Sequence, residues 1–236
     1  MTKSDIHSLA RPKLPPVLDA SFIPAALFNR LFEEQIQASG KGDDLVFGLE
    51  RADGSLSRVE RRVFGRHHPW AIYNNEYSER VLKFLLWQRG GWKVYVGGPP
   101  EIADQLRKAY APGGERGFDY HFMGEEVYQK PFTIVSCKPE DVPTAQESRQ
   151  SLGRHLDGCR IGFDLGASDV KVSAVIDGEA VFTREMEWDP RNQTDPAYHY
   201  EKIMAMLKLA AGKLPRLDAI GGSSAGVIIN NRPMVA

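Results

Sequence analysis

The chain has 236 residues, of which 42% are apolar and 26% are charged, and its formal net charge is −1. This balance is typical of globular domains with a buried core, and it gives no sign of a polybasic surface for nucleic acid or acidic lipid. No apolar run reaches membrane-spanning length, and residues 1–16 lack the apolar core of an export signal. Cys137 and Cys159 have no metal-type spacing and are expected to be reduced thiols, so we expect a cytoplasmic protein.

The first half of the chain predicts a small α+β domain. An irregular arm over residues 1–19 contains three prolines and precedes a helix expected over 22–38, where apolar residues recur at helical spacing. The turn dipeptide Asp53-Gly54 predicts a hairpin. The further elements are expected as strands 45–49 and 56–64, helix 77–89, strand 92–96, helix 101–110, and strands 118–123 and 132–137. Residues 1–140 are thus assigned to an accessory α+β domain of unknown role, and the polar residues 141–158 to a linker.

A local basic patch in this half leaves two interpretations open. Its members share one stretch of chain and are Arg58, Arg61, Arg62, Arg66, His67 and His68. The patch could contact an anion such as a sugar phosphate. The more common interpretation is a solvated strand face, because Glu60 interrupts the run.

The second half predicts the element order β-β-β-α-β. Two apolar runs flank the turn 164–169, and Asp177-Gly178 is a second tight turn that leads into a third strand over 180–188. Asp195-Pro196 supplies an N-cap and a first-turn proline for a helix expected over 196–211. A fourth strand follows over 217–221, and the small residues 222–226 are expected to form a loop.

The turn between the first two of these strands carries the chemistry that suggests a function. Gly166 has no Cβ, so the backbone can approach a ligand, and N–H groups from Gly166 to Asp169 could hold phosphate oxygens. Ser168 adds a hydroxyl donor, and Asp164 is a hard oxygen ligand suited to Mg²⁺. The same residues are also ordinary in structural turns, and that alternative remains open at this stage.

The segment Ile161-Gly162-Phe163-Asp164-Leu165-Gly166-Ala167-Ser168 resembles the first phosphate motif of the actin, chaperone and sugar-kinase superfamily, which usually reads Asp-x-Gly-Gly/Thr-Thr/Ser. Within that superfamily, Asp177-Gly178 and the distance to the loop at 219–226 are most similar to the ROK family (repressors, open reading frames and sugar kinases). The resemblance covers residues 160–236. It implies an α/β fold (an α+β mix overall), in which the start of a ribonuclease H-like, actin-type ATPase lobe over 159–236 follows the accessory domain.

The resemblance also implies ATP and Mg²⁺ as cofactors and a sugar as the small-molecule substrate. Asp164 would bind the metal through water. The ATP phosphates would be lined by Gly166, Ala167 and Ser168, with Lys171 on the next strand, and the edge of the sugar pocket by Ser223, Ser224 and Gly226.

The chain departs from the family pattern at several positions. Ala167 stands where a second glycine is usual, and Asp169 places a negative charge near the expected phosphates. The catalytic Asp of the family has no match, so no catalytic residue is assigned in this chain. We therefore expect the N-terminal part of an ATP-dependent sugar kinase that is inactive alone, with its sheet edge covered by a missing C-terminal half or by a partner. The alternative is a non-catalytic sugar- or nucleotide-sensing or partner-binding protein with a degenerate kinase lobe.

Overall fold

Two units make up the structure, Met1–Arg149 (unit 1) and Gln150–Ala236 (unit 2). The computed structural model describes residues 6–147, 155–230 and 232–235. In the described part of the chain, no helix combines the length and apolar character needed to cross a membrane.

Unit 1 is a four-stranded sheet with helices packed on one face. Its helices are α1 (Ile6–Leu9), α2 (Ala25–Ser39), α3 (Asn74–Arg89), α4 (Pro100–Ala109) and α5 (Gly117–His121). Its strands are β1 (Asp43–Glu50), β2 (Leu56–Val63), β3 (Lys93–Gly97) and β4 (Thr133–Cys137). The strand order is β2-β1-β3-β4, with β3 and β4 parallel and the other pairs antiparallel.

The core of unit 1 lies between the sheet and α2, α3 and α4. Alternate residues of β1, Leu45, Phe47 and Leu49, point to the helices and are fully buried, as the period of two in a strand requires. The helices bury Phe28, Phe32, Leu82, Leu86, Ile102 and Leu106 against them. Beyond β4 the chain stays on this unit, since Val142 is buried and Gln146 pairs with Leu56.

The prediction of a strand at 118–123 is wrong. These residues form α5 and the start of a π-helical segment, Phe122–Tyr128. The reason is that Asp119 of α5 is buried against α3. Lys83 Nζ and Trp87 Nε1 of α3 both donate to its carboxylate at 2.6–2.8 Å. Helical spacing also brings Phe118 and Phe122 together, with ring centroids 5.6 Å apart.

Unit 2 has the predicted order β-β-β-α-β, and the α/β fold class is confirmed. Its elements are β5 (Cys159–Leu165), β6 (Asp169–Ile176), β7 (Glu179–Glu187), α6 (Pro196–Ala211), β8 (Ala219–Ser224), β9 (Val227–Ile229) and β10 (Arg232–Val235). The main sheet has the order β7-β6-β5-β8, in which β5 and β8 are parallel and the other pairs antiparallel. Strands β9 and β10 form a separate hairpin.

One face of the unit 2 sheet packs against α6. Its buried centre consists of Ile161, Val170, Val172 and Ala174 from the strands and Met206 and Ala210 from the helix. The other face carries the alternate residues of the same strands. Because those residues are mainly polar or glycine, this second face is where the candidate site lies.

The loop predicted at 222–226 is wrong in its first half. Strand β8 continues through Ser224, because Gly222, Ser223 and Ser224 pair with Phe163, Asp164 and Leu165 of β5. A Cβ on residue 222 would lie 2.4 Å from the ring of Phe163, so only glycine lets the strand continue with this ring in place.

Candidate functional site

Asp164 lies near the end of β5 and is flanked on both sides by polar residues of neighbouring strands. Lys171 of β6 and Ser223 of β8 are its direct register partners. The hydroxyl of Ser223 donates to Asp164 Oδ1 at 2.5 Å, although 59 residues separate the two along the chain. Parallel pairing of β5 with β8 brings their carboxyl ends to the same edge of the sheet, and this produces the contact.

The turn after Asp164 is held in one shape by hydrogen bonds. The N–H of Gly166 donates to the carbonyl of Asp169 at 2.9 Å, which closes the turn between β5 and β6. Trp188 donates twice, from Nε1 to the carbonyl of Gly166 at 2.8 Å and from its backbone N–H to the carbonyl of Ser168 at 3.0 Å. Within the described residues, the N–H groups of Ala167 and Ser168 donate to no protein acceptor, so they are the donors that this turn can offer to a ligand.

Lys171 and Asp169 form an ion pair beside the turn. The ammonium of Lys171 hydrogen-bonds to Asp169 and lowers the pKa of that carboxyl below its usual value. In return, Asp169 raises the pKa of Lys171, with Glu185 and Asp164 as weaker contributors. The side chain of Lys171 is 48% exposed and that of Asp169 is 22% exposed, so an incoming anion can reach the ammonium and compete with Asp169 for it.

The sheet face beside Asp164 has a floor of small residues. Gly162 and Gly221 are register partners on β5 and β8, and a Cβ on either one would meet no atom within 4 Å. The adjoining groove has a volume of about 460 Å³ and includes Ser173, Thr183 and Glu185 in its lining. A ligand can therefore approach the backbone of the sheet directly at this point.

The structure places some of the predicted site residues together and others apart. Asp164, Lys171 and Ser223 share one sheet face, and the turn 166–168 adjoins them. Ser224 lies on the opposite face, where its hydroxyl donates to the carbonyl of Ala225 at 3.1 Å. Gly226 has φ of 100° and lies in the turn between β8 and β9, a conformation that favours glycine. The ligand-binding roles expected for these residues remain predictions.

Sequence reasoning missed Glu185 as a neighbour of Lys171. The two residues pair directly across β6 and β7. Counting outward from the Asp177-Gly178 turn gives the wrong partner, because the register shifts by one residue between Ala174 and Val175. Alternation of apolar and polar residues along β7 was the only available signal, and it does not reveal a bulge.

A second groove, in unit 1, contains three of the six residues of the basic patch and has a volume of about 810 Å³. Its arginines are paired with carboxylates: Arg58 with Glu60 at 3.1 Å, Arg61 with Glu33 at 3.6 Å and Arg62 with Asp44 at 3.9 Å. Although this groove is larger, we favour the unit 2 face as the site, because the paired charges in unit 1 leave little net attraction for an anion.

The described residues contain no group of three or more His, Cys, Asp or Glu side chains placed to hold a metal ion. Asp164 alone therefore supplies the carboxylate of the expected metal contact. A single carboxylate is sufficient only where waters and substrate phosphates complete the coordination, which is the usual arrangement for Mg²⁺.

No protein-family model matches the chain, and no curated protein matches it. Among solved structures, the chain is similar to an exopolyphosphatase from Cytophaga hutchinsonii at 10% sequence identity and a TM-score of 0.23. The match covers 77% of this chain and 64% of that one, so the chain spans less than two thirds of the neighbour.

Proposed function

We propose that unit 2 is the phosphate-binding part of a ROK-like sugar kinase that transfers a phosphoryl group from ATP to a sugar hydroxyl. The observation that carries the proposal is the meeting of Asp164 and Ser223 at the carboxyl ends of two parallel strands, next to the turn 166–169. Carboxyl ends of parallel strands are the usual position of ligand sites in α/β sheets.

Each residue has a role in this proposal. Asp164 binds Mg²⁺ through water, and the N–H groups of Ala167 and Ser168 donate to ATP phosphate oxygens. Lys171 exchanges Asp169 for a phosphate oxygen, since the Lys171 side chain is 48% exposed and accessible to the ligand. Ser223 lies between Asp164 and the sugar. Catalysis of this kind depends mainly on positioning and charge neutralisation.

The proposal also requires that the exposed edge of the main sheet at β8 be covered. Strand β8 is one of the two edge strands of the main sheet in the described structure, and most of its residues are exposed. We propose that further chain of the same protein, or a partner, pairs with this edge and supplies the catalytic Asp. The 236-residue chain would then bind Mg-ATP weakly and transfer no phosphate.

Calorimetric titration of the chain with ATP, with and without Mg²⁺, tests the binding step. We expect Mg-dependent binding that falls at least tenfold in Asp164→Asn, because a neutral amide lacks the negative charge that attracts the hydrated metal. Asp169→Asn is expected to bind more tightly, since it removes a repelling charge and frees Lys171. Asp195→Asn is the matched control, as asparagine also caps a helix and the position lies outside the site. Equal affinity in Asp164→Asn and the control would contradict the proposal.

A non-catalytic sensor is the second candidate, and the position of Asp169 favours it. A Cβ on Gly166 would lie 3.0 Å from Asp169 Oδ1, so this carboxylate lies directly over the glycine of the turn. A polyphosphate at this position would meet a fixed negative charge. Binding of a neutral sugar without any Mg-ATP binding, in both the chain and Asp169→Asn, would support the sensor and exclude the kinase.

A further inference from the structure

Trp188 directly follows the last residue of β7 and lies beside the turn 166–169. Its indole Nε1 donates to the carbonyl of Gly166 at 2.8 Å, although 22 residues separate the two along the chain. Its backbone N–H donates to the carbonyl of Ser168 at 3.0 Å. An indole can only donate, so a tryptophan at this position binds carbonyl groups of the turn and does not compete with a ligand for the N–H groups.

The bond to Gly166 determines where one free donor of the turn points. The peptide that joins Gly166 to Ala167 is trans, and in a planar trans peptide the C=O and N–H bonds point in opposite directions. Because the carbonyl of Gly166 points to Trp188, the N–H of Ala167 points away from it. A hydrogen bond to this carbonyl also polarises the peptide, which makes the N–H of Ala167 a stronger donor.

The start of α6 holds Trp188 in place. The ring of His199 lies edge-on to the indole, with ring centroids 5.8 Å apart. The backbone N–H of Asp189 donates to the hydroxyl of Tyr198 at 3.0 Å, and His199 Nε2 lies 3.3 Å from the carbonyl oxygen of Pro190. The indole also packs against the buried core of unit 2. These contacts keep Nε1 directed at the turn in the absence of any ligand.

We propose that Trp188 is the positioning residue of this turn and keeps the N–H of Ala167 ready for a phosphate oxygen. Trp188 acts through the peptide after Gly166 and does not itself touch the ligand. Donors that are already in place bind an anion more tightly, because no reorganisation is required when the ligand arrives. The inference rests on the proposed function only in taking the turn as a phosphate site, and it requires neither a nucleoside nor a sugar.

Calorimetric titration with Mg-ATP and, separately, with pyrophosphate tests the role of the indole donor. Trp188→Phe keeps an aromatic ring beside His199 and removes the donor, so we expect both anions to bind about fivefold more weakly, the loss typical of one hydrogen bond. Phe182→Leu is the matched control. Phe182 also packs on the unit 2 core from β7, but it pairs with Ala174, away from the turn, so this variant should bind like the parent chain.

The indole N–H resonance of Trp188 in the isotope-labelled parent chain gives a readout that a purely structural role would not move. A phosphate oxygen on the N–H of Ala167 polarises the carbonyl of Gly166 and strengthens the bond from Trp188, so this resonance should shift downfield as either anion is added. Trp92 is the internal control, because its Nε1 donates to a backbone carbonyl of unit 1 at 3.4 Å and should not respond. The measurement does not depend on the folding of any variant.

The outcomes separate this inference from the proposed function. Equal affinity of the parent chain and Trp188→Phe, or binding without a shift of the Trp188 resonance, would overturn the inference and leave the kinase proposal intact. Binding of pyrophosphate that depends on Trp188, without any binding of Mg-ATP, would support the inference and contradict the kinase. Failure of both anions to bind the parent chain would overturn both.

Discussion

Two buried tyrosines of unit 1 differ in one respect that predicts opposite responses to the same substitution. The hydroxyl of Tyr77 donates to Glu33 Oε1 at 2.6 Å. The hydroxyl of Tyr110 is buried and has no hydrogen-bond partner among the described residues. Replacement by phenylalanine removes one oxygen in each case and leaves the ring packing unchanged.

The expected magnitudes follow from these surroundings. A hydrogen bond to a charged group contributes about 1.5–3 kcal/mol. The side chain of Glu33 is 52% exposed, so water replaces the lost donor, and Tyr77→Phe should destabilise unit 1 by about 1 kcal/mol. An unsatisfied buried hydroxyl costs about 1–3 kcal/mol, part of which is offset by the void left after its removal. Tyr110→Phe should therefore stabilise unit 1 by roughly 0.5–1 kcal/mol.

Urea unfolding of the full chain, followed by tryptophan fluorescence, measures both effects. Three of the four tryptophans, Trp70, Trp87 and Trp92, are in unit 1 and dominate the signal. The slope of the unfolding free energy with urea should stay constant, so that a shift in midpoint reports stability. Equal destabilisation by both substitutions would refute the reasoning, because it would require a partner for the hydroxyl of Tyr110.

Three further predictions concern pH and local structure. Burial raises the pKa of Tyr77 and Tyr110 above the usual value near 10. The unfolded chain therefore ionises first, and above about pH 10 the unfolding free energy of unit 1 should fall by up to about 1.4 kcal/mol per pH unit for each tyrosine. Urea midpoints between pH 9 and 11 test this, and the fall with pH should be smaller in either phenylalanine variant. Gly222→Ala should destabilise unit 2 by roughly 1 kcal/mol through contact with the ring of Phe163, whereas Gly221→Ala should be neutral or better, since its Cβ meets open space; hydrogen exchange of β8 separates the two. Asp195→Ala should cost about 1 kcal/mol, because the side chain accepts the first-turn N–H of α6 at 2.9 Å; faster hydrogen exchange confined to the start of α6 is the expected sign, and unchanged exchange would show that the cap contributes nothing.

The order of elements in unit 2 could be predicted because each boundary carries a local signal. Asp177 and Gly178 both have positive φ, as the turn dipeptide implies. Asp195 caps α6, and Pro196 occupies its first position. Signals of this kind act within a few residues, so the element boundaries that they set do not depend on the packing of the rest of the chain.

The wrong predictions from sequence arise where contacts between distant residues, and not local signals, determine the structure. Phe118 and Tyr120 alternate as in a strand, but the bonds from Lys83 and Trp87 to Asp119 hold the segment as a helix. The one-residue bulge in β6 and β7 likewise depends on the packing of the whole sheet. Local pattern contains no information about either contact.

The candidate site also depends on a contact between distant residues, that of Ser223 with Asp164. α6 has 16 residues and rises about 24 Å, close to the length of the seven-residue strand β5 at about 3.3 Å per residue. The helix therefore returns the chain to the beginning of β5, and β8 runs parallel to it from the first residues onward. This match of lengths brings Ser223 to the level of Asp164.

The choice between the two adjacent serines rests on a single glycine. A slip of β8 by one residue would place Ser224 beside Asp164 and reverse the face of every β8 side chain. The same slip would put Ser223 under the ring of Phe163, where a Cβ would lie about as close as the 2.4 Å found for residue 222. Of these two registers, only the one with Gly222 beneath the ring avoids this contact, so Gly222 selects Ser223 over Ser224. The hydroxyl beside Asp164 is thus selected by packing on the opposite face of the sheet, which explains why the sequence could name both serines but could not choose between them.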